Sequence, residues 1–214
     1  MKRAPIVAML MMAPGIAHAF ERTTTSDGYV TQWGVSHVAY AIVETSTLPR
    51  LGSATRVAFD TWSMTPGASF VGVWTGTATD AAGRVLVSIG TSDPSLGSAL
   101  AVTINQYRPG SGQITGVDML INVAEHRFDG TRGSFDLESV LVHETGHAIG
   151  LAHTCGIDGR MRPSCFDLDH LSSRERARIL NAVMSPSISA GEVRRVLTED
   201  DEIRIGDSVM KFRG

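Results

Sequence analysis

The sequence predicts an α+β domain, on three observations. Short apolar runs of β-forming residues recur up to Val123, Gly-, Pro- and Ser-containing breaks separate them, and helical stretches with capping signals take over from Asp136 onward. Val35 to Val43 reads as the first strand and Ala54 to Trp62 as a helix after it. Ser69 to Trp74, Val85 to Ile89 and Ala101 to Gln106 read as further strands, with Thr65-Pro66-Gly67 and Pro109-Gly110-Ser111-Gly112 among the breaks. Asp118 to Val123 is another strand. A longer helix starts near Asp136, whose carboxylate can cap the free amides, and runs to Ile149 with Leu137, Val140, Leu141, Ala148 and Ile149 toward the core. Gly146 inside it costs about 1 kcal/mol relative to alanine, so a packing reason is expected. Ser172 to Glu175 makes a capping box for a short helix ending near Asn181, and Thr198 to Asp201 caps a terminal helix likewise.

The first residues stand apart from this pattern. Met1-Lys2-Arg3 leads into an apolar run from Ala4 to Ala17, and Ala17-His18-Ala19 has the A-x-A form of a cleavage site. Residues 1–19 are therefore expected to be a signal peptide, and 20–214 one domain that is secreted or periplasmic. The apolar run is too short for a membrane span, and no later stretch reaches the roughly 20 apolar residues a span needs. The chain carries 19 basic and 22 acidic residues, and losing Lys2 and Arg3 makes it more acidic still, so nucleic acid is not an expected partner. Cys155 and Cys165 are the only cysteines. In an exported chain such a pair reads as a disulfide bracing the loop from Gly156 to Ser164, the rival being a thiolate ligand or an inhibitory cysteine.

Chemistry is concentrated in His143-Glu144-Thr145-Gly146-His147-Ala148-Ile149-Gly150-Leu151-Ala152-His153. On a helix, residues four apart lie one above the other, so His143 and His147 can share one metal ion while Glu144 stands beside it. Gly150 falls where the helix should stop, because it enters the left-handed region cheaply, and the turn returns His153 as a third ligand. Three neutral imidazoles leave a zinc ion its full charge and one open corner for water, the mark of a catalytic site. Two helical histidines alone could merely hydrogen-bond; the glycine and the third histidine argue against that.

The extended string His-Glu-x-x-His-x-x-Gly-x-x-His resembles the metzincin metallopeptidases. That resemblance implies a methionine turn beneath the zinc, and Asn181-Ala182-Val183-Met184-Ser185-Pro186 supplies the candidate in Met184. Within that group the chain resembles the matrixins of the short secreted bacterial type. Gly28-Tyr29-Val30-Thr31-Gln32-Trp33 with Val38 to Ile42 is similar to the family's opening tryptophan and first strand, and Ala58-Phe59-Asp60-Thr61-Trp62-Ser63 to its first helix. Ser134 to Val140, Thr154 after His153, and Leu197-Thr198-Glu199-Asp200-Asp201 fit likewise.

The resemblance implies a zincin-like fold. Its parts are a twisted, mostly parallel five-stranded sheet with one antiparallel edge strand, two long helices, and a smaller lower part after His153 with the methionine turn and a final helix. It implies an upper part over about 20–153 and a lower part over about 154–214, with the cleft between them. It also implies a substrate-binding edge strand, placed here on Leu120, Ile121 and Asn122, and a pocket formed by Ser139 and Pro186 that favours an apolar residue just after the cut bond. Ser139, being small, would leave that pocket deep. The activity implied is that of a zinc endopeptidase acting on peptide or protein substrates as a monomer, with Glu144 as general base and then acid.

This chain departs from the animal matrixins in three respects. Their structural zinc loop is represented only by His126 with Asp118 and Asp129, so one zinc is expected; His37, His126 and His170 read as structural histidines. The residue after the turn methionine, usually tyrosine, is Ser185. No inhibitory cysteine lies between Ala19 and the domain, so latency by that route is not expected. Asp80, Asp93 and Asp129 in Gly-rich loops are candidates for Ca2+, against the default of solvated carboxylates. The new amino group of Phe20 is a candidate partner for Asp200 or Asp201. The other functional readings are an exported zinc-bearing surface or binding protein without turnover, and an amidase acting on cell-wall peptide links.

Overall fold

The computed structural model describes residues 22–45, 47–65, 68, 70–90, 93–157, 163–198 and 201. Residues 1–19, expected to be a signal peptide, Phe20, Asp200 and residues 202–214, where the terminal helix is expected, lie outside the described residues.

Six strands form one sheet: β1 (Gln32–Trp33), β2 (His37–Ile42), β3 (Val71–Thr77), β4 (Arg84–Gly90), β5 (Ala101–Tyr107) and β6 (Gln113–Asn122). The helices are α1 (Leu51–Ser63), α2 (Leu137–Ala148) and α3 (Ser173–Asn181). Strands β3, β2, β4 and β6 are parallel neighbours in that order, β5 runs antiparallel along the far side of β6, and the short β1 pairs parallel with its start. This is the mostly parallel sheet with an antiparallel edge and two long helices that the resemblance implies, with the two-residue β1 as a sixth strand beyond the five expected.

Alternation along the strands decides which face is covered. Val38 and Tyr40 of β2, Val85 and Val87 of β4, and Val117, Met119 and Ile121 of β6 are buried in one core with Phe59 and Trp62 of α1 and Val140 and Leu141 of α2. Tyr40 stacks on Phe59 with ring centroids 3.9 Å apart. Trp62 is fully buried and donates its indole N–H to Val142 O at 2.7 Å, which ties α1 to the middle of α2. All five residues expected to face inward from α2 are buried.

Helix α2 starts as its capping signal requires. Asp136 is its N-cap and accepts from Ser139 N at 2.8 Å. The same carboxylate is gripped from the lower part by Arg195, whose Nε donates at 2.8 Å, and the Arg195 guanidinium also reaches Glu138. Burial pushes the Asp136 carboxyl upward, but the bonds from Arg195 and Ser139 outweigh it and hold the group down at about 2. A carboxyl lowered on folding contributes stability that is full above its unfolded value, about 3.9, and fades as pH drops toward 2. Asparagine at this position keeps the cap and loses the charge. Asp136→Asn is therefore expected to cost about 1 kcal/mol at pH 7 after solvent screening, and thermal melts should show the two proteins converging by about pH 2. An equal deficit at both pH values would remove the ion pair from the account.

The lower part is knit by short-range devices. Ser172 and Glu175 form the expected capping box at the start of α3. Cys155 and Cys165 are joined in a disulfide, with Gly156 and Ser164 bridged just inside it and Cys165 N donating to Gly156 O at 2.9 Å. Cys155 is fully buried with Leu168 and Ile179. Thr198 N and Oγ1 both donate to Asp201 Oδ2, so the carboxylate reaches back to the residue three before it, while the helix expected to follow lies outside the described residues.

Candidate active site

Two of the three imidazoles come from one helix face and the third from the turn that ends it. Gly150 has φ +91°, Gly150 N donates to His147 O, and Leu151 N donates to Gly146 O, which is the Schellman arrangement of a helix terminus. A Cβ on Gly150 would also overlap the Thr31 carbonyl, so a side chain is excluded twice over. The turn is held from outside by the N-terminal segment: Arg22 bridges to Leu151, and Thr23 N donates to Gly150 O at 3.0 Å.

As a result His143, His147 and His153 each present a ring nitrogen to one point, with the three atoms within 4.8 Å of one another. His147 Nε2 and His153 Nε2 are 3.1 Å apart. His143 Nδ1 lies 2.8 Å from Val183 O and His147 Nδ1 lies 2.7 Å from Leu151 O. A carbonyl can only accept, so both Nδ1 atoms carry protons and both Nε2 lone pairs are free. Burial first, and the neighbouring imidazoles second, lower His143 far below its usual range and hold His153 at about 3. Those two rings are thus neutral at physiological pH, as cation ligands must be. A small, three-nitrogen donor set with an open side fits Zn2+.

Glu144 follows His143 on the helix but is not one of the three converging groups. It is buried, which raises its carboxyl above the usual range, while His147 and a bond from Thr103 oppose that shift. Thr103 Oγ1 donates to Glu144 Oε2 at 2.6 Å.

Met184 lies beneath the helix. A Cβ on Gly146 would overlap Met184 Sδ and stand 3.0 Å from Trp62, so Gly146 is the gap that the methionine fills. The turn closes with Ser185 N donating to Ala182 O, and its backbone is spent on the site: Val183 O accepts from His143 Nδ1 and Met184 O accepts from Thr154 N at 3.0 Å. Thr154 Oγ1 in turn donates to Ile179 O. Asp201 Oδ2 accepts from Val183 N at 3.3 Å.

A family model described as matrixin matches residues 32–176, more than half of the chain. The chain belongs to the matrixins. A comparison with curated proteins found no match. Membership makes this protein a zinc metallopeptidase with a peptide substrate, and the histidine cluster fits a zinc site. The match contains His143, Glu144, His147 and His153 but stops short of Met184, whose position under α2 stands on packing alone.

In this matrixin a cavity of about 610 Å³ opens over the histidines. Its walls include Ala101 and Thr103 of β5 on one side and Val183, Ser185 and Pro186 on the other. Leu120, Ile121 and Asn122 are not on its edge strand. Strand β6 is paired on both sides there, with β4 through Ser88, Ile89 and Gly90 and with β5 through Ala101 and Val102, and the Asn122 amide donates to Ala99 O at 2.9 Å. The strand facing the cavity is β5, whose one strand neighbour among the described residues is β6. Both runs are apolar and β-rich, so the sequence carried no mark of which one is outermost. Pro186 and Ser139 do line the cavity. Ser139 does not deepen it: its Oγ accepts from Arg194 N at 2.7 Å and donates to Asp136 Oδ1 at 2.6 Å, and Arg194 lines the cavity above it.

The remaining histidines fall elsewhere. His37 is exposed at the start of β2, His170 sits 3.6 Å from Asp167 on the surface, and His126 Nε2 lies 3.0 Å from Ser98 O at the cavity's rim. Asp80, Asp93 and Asp129 each accept from the backbone two residues on, in separate loops. Among the described residues, the three site histidines are the one group of three metal-ligating side chains close enough to share an ion. Thr103 and Asn105 escaped the sequence reading. Their period-two spacing in β5 puts both on the side facing α2, where Asn105 Nδ2 donates to His147 O at 3.0 Å.

No described helix is long and apolar enough to cross a membrane.

Proposed function

We propose that this matrixin is an exported endopeptidase of 20–214, released by removal of residues 1–19, in which Glu144 is the general base. The observation that carries the reading is a carboxylate buried beside three converging imidazoles and open to the same cavity. When bound, zinc lowers the pKa of a water toward about 7 and polarises a peptide carbonyl. Glu144 takes the proton of the attacking water at its free oxygen and then gives it to the departing amine, so one carboxyl serves as base and as acid. His143, His147 and His153 hold the metal, and their Nδ1 anchors on Val183 O and Leu151 O keep two of the rings aimed. Met184 supports the helix from below.

Strand β5 offers its outer edge to an extended peptide, with main-chain hydrogen bonds supplying affinity. The pocket between Val140 and Pro186 takes the side chain that follows the cut bond, and its lining by Val140, Val183 and Ile188 favours an apolar one. The experiment is an assay on casein and on purified cell wall, with and without a zinc chelator. Chelator-sensitive cleavage of casein is expected. Release of cell-wall fragments alone would make the protein an amidase, and inactivity on both with zinc retained would make it a binding protein.

A further inference from the structure

We propose that Thr103 is a positioning residue for Glu144, holding one carboxylate oxygen so that the other is left for proton transfer. The proposal rests on Glu144 being the base. Three observations carry it. Thr103 Oγ1 stands 2.6 Å from Glu144 Oε2, within the range of a hydroxyl bonded to a carboxylate, and 3.3 Å from Glu144 O, so its single proton goes to the carboxylate. Oε1 accepts no hydrogen bond from the described residues, and Glu144 lines the cavity. Thr103 is half-buried in β5, where a β-branched side chain has few χ1 choices, so the donor is itself held still.

The consequence is a division of labour within one carboxyl group. An unheld glutamate has three rotatable bonds and can swing between the cavity and the helix surface. With Oε2 fastened, Oε1 is the oxygen left to the cavity that Glu144 lines, and the proton it accepts is presented again from the same place to the leaving nitrogen. Because Thr103 sits on the strand whose edge takes the peptide, β5 sets the position of the base and of the substrate together. A side chain that merely fastened β5 to α2 would leave a different trace: its loss would shift the strand and weaken peptide binding.

Thr103→Val removes the hydroxyl and keeps the β-branched shape. On a fluorogenic peptide built from a casein cut site, kcat is expected to fall on the order of tenfold with KM within about twofold of the parent, since mispositioning a catalytic group slows chemistry without loosening the substrate. Bound zinc by elemental analysis and melting temperature are expected to match the parent. Thr103→Ser, which restores the donor, is expected to recover kcat to within about threefold. If the valine variant folds poorly, Thr103→Ala carries the same comparison. Unchanged kcat in the variant lacking the hydroxyl, a loss confined to KM, or a loss that serine does not repair would each overturn the proposal. Turnover retained by Glu144→Ala is a separate result: it overturns the base reading itself, whereas an inactive Glu144→Ala beside a fully active Thr103→Val overturns only the positioning role.

Discussion

Glu144→Ala is expected to keep its zinc and lose peptide cleavage by about three orders of magnitude or more, the scale of a missing general acid-base group. Retention of metal follows from geometry, because the carboxylate is not one of the three groups within 4.8 Å of one another, and the Nδ1 anchors of His143 and His147 are backbone carbonyls that the substitution does not touch. Loss of rate follows because the described cavity offers no second carboxylate to take over; its other charged side chain is Arg194. Glu144→Gln sharpens the point. It fills the same volume and can still accept from Thr103, but it cannot carry a proton. Burial disfavours the charged form of Glu144, so removing that charge is expected to leave the melting temperature at neutral pH no lower than the parent's. Elemental analysis, a peptidase assay and a melt decide the matter. A glutamine variant that cleaves at the parental rate would take Glu144 out of the chemistry.

Gly150→Ala is expected to be among the most damaging additions of a single methyl group at the described residues. At φ +91° a side chain is strained in its own right, and here the Cβ would also run into the Thr31 carbonyl, which is backbone and cannot rotate away. Moving Thr31 disturbs the bond that Arg22 makes to it at 2.8 Å, and moving residue 150 displaces His153 three positions later. A cost of about 3 kcal/mol is expected, which for a domain of this size lowers the melting temperature by roughly 10 °C. Zinc should also be held more weakly, because the third ligand arrives from a distorted turn. Melting within about 2 °C of the parent, with zinc fully retained, would show that the turn has slack that the geometry does not suggest.

Much of this was legible from residues because the signals were local. The zinc-helix string needs only helical spacing and a left-handed glycine, and the caps at Asp136 and Ser172 are bonds between residues three apart. Strand β6 begins at Gln113 rather than Asp118, because Gly116 looks like a break until one sees that its missing Cβ lets Ala81 O approach. Helix α1 begins at Leu51, three residues before the apolar pattern suggests, since its N-cap Arg50 makes no side-chain capping bond and so leaves no signal. What stayed hidden was long-range pairing. Thr103 meets Glu144 across 41 positions, and the order of strands in the sheet decides whether residues 101–107 or 118–122 look onto the cleft. Hydrophobic alternation is the same for an edge strand and its inner neighbour on the covered face, so only assembly of the sheet could separate them.

The bridge from Arg22 and Thr23 to the end of α2 bears on how the protein is handled at the bench. These residues splint the bend that delivers the last imidazole, although they lie 127 positions before Gly150 at the Thr23 contact and hold no chemistry of their own. Expression from a start point beyond Thr24, or trimming of the amino end by a contaminating protease, would slacken the metal grip with every ligand still in place, and such a sample would pass a sequence check yet bind zinc poorly.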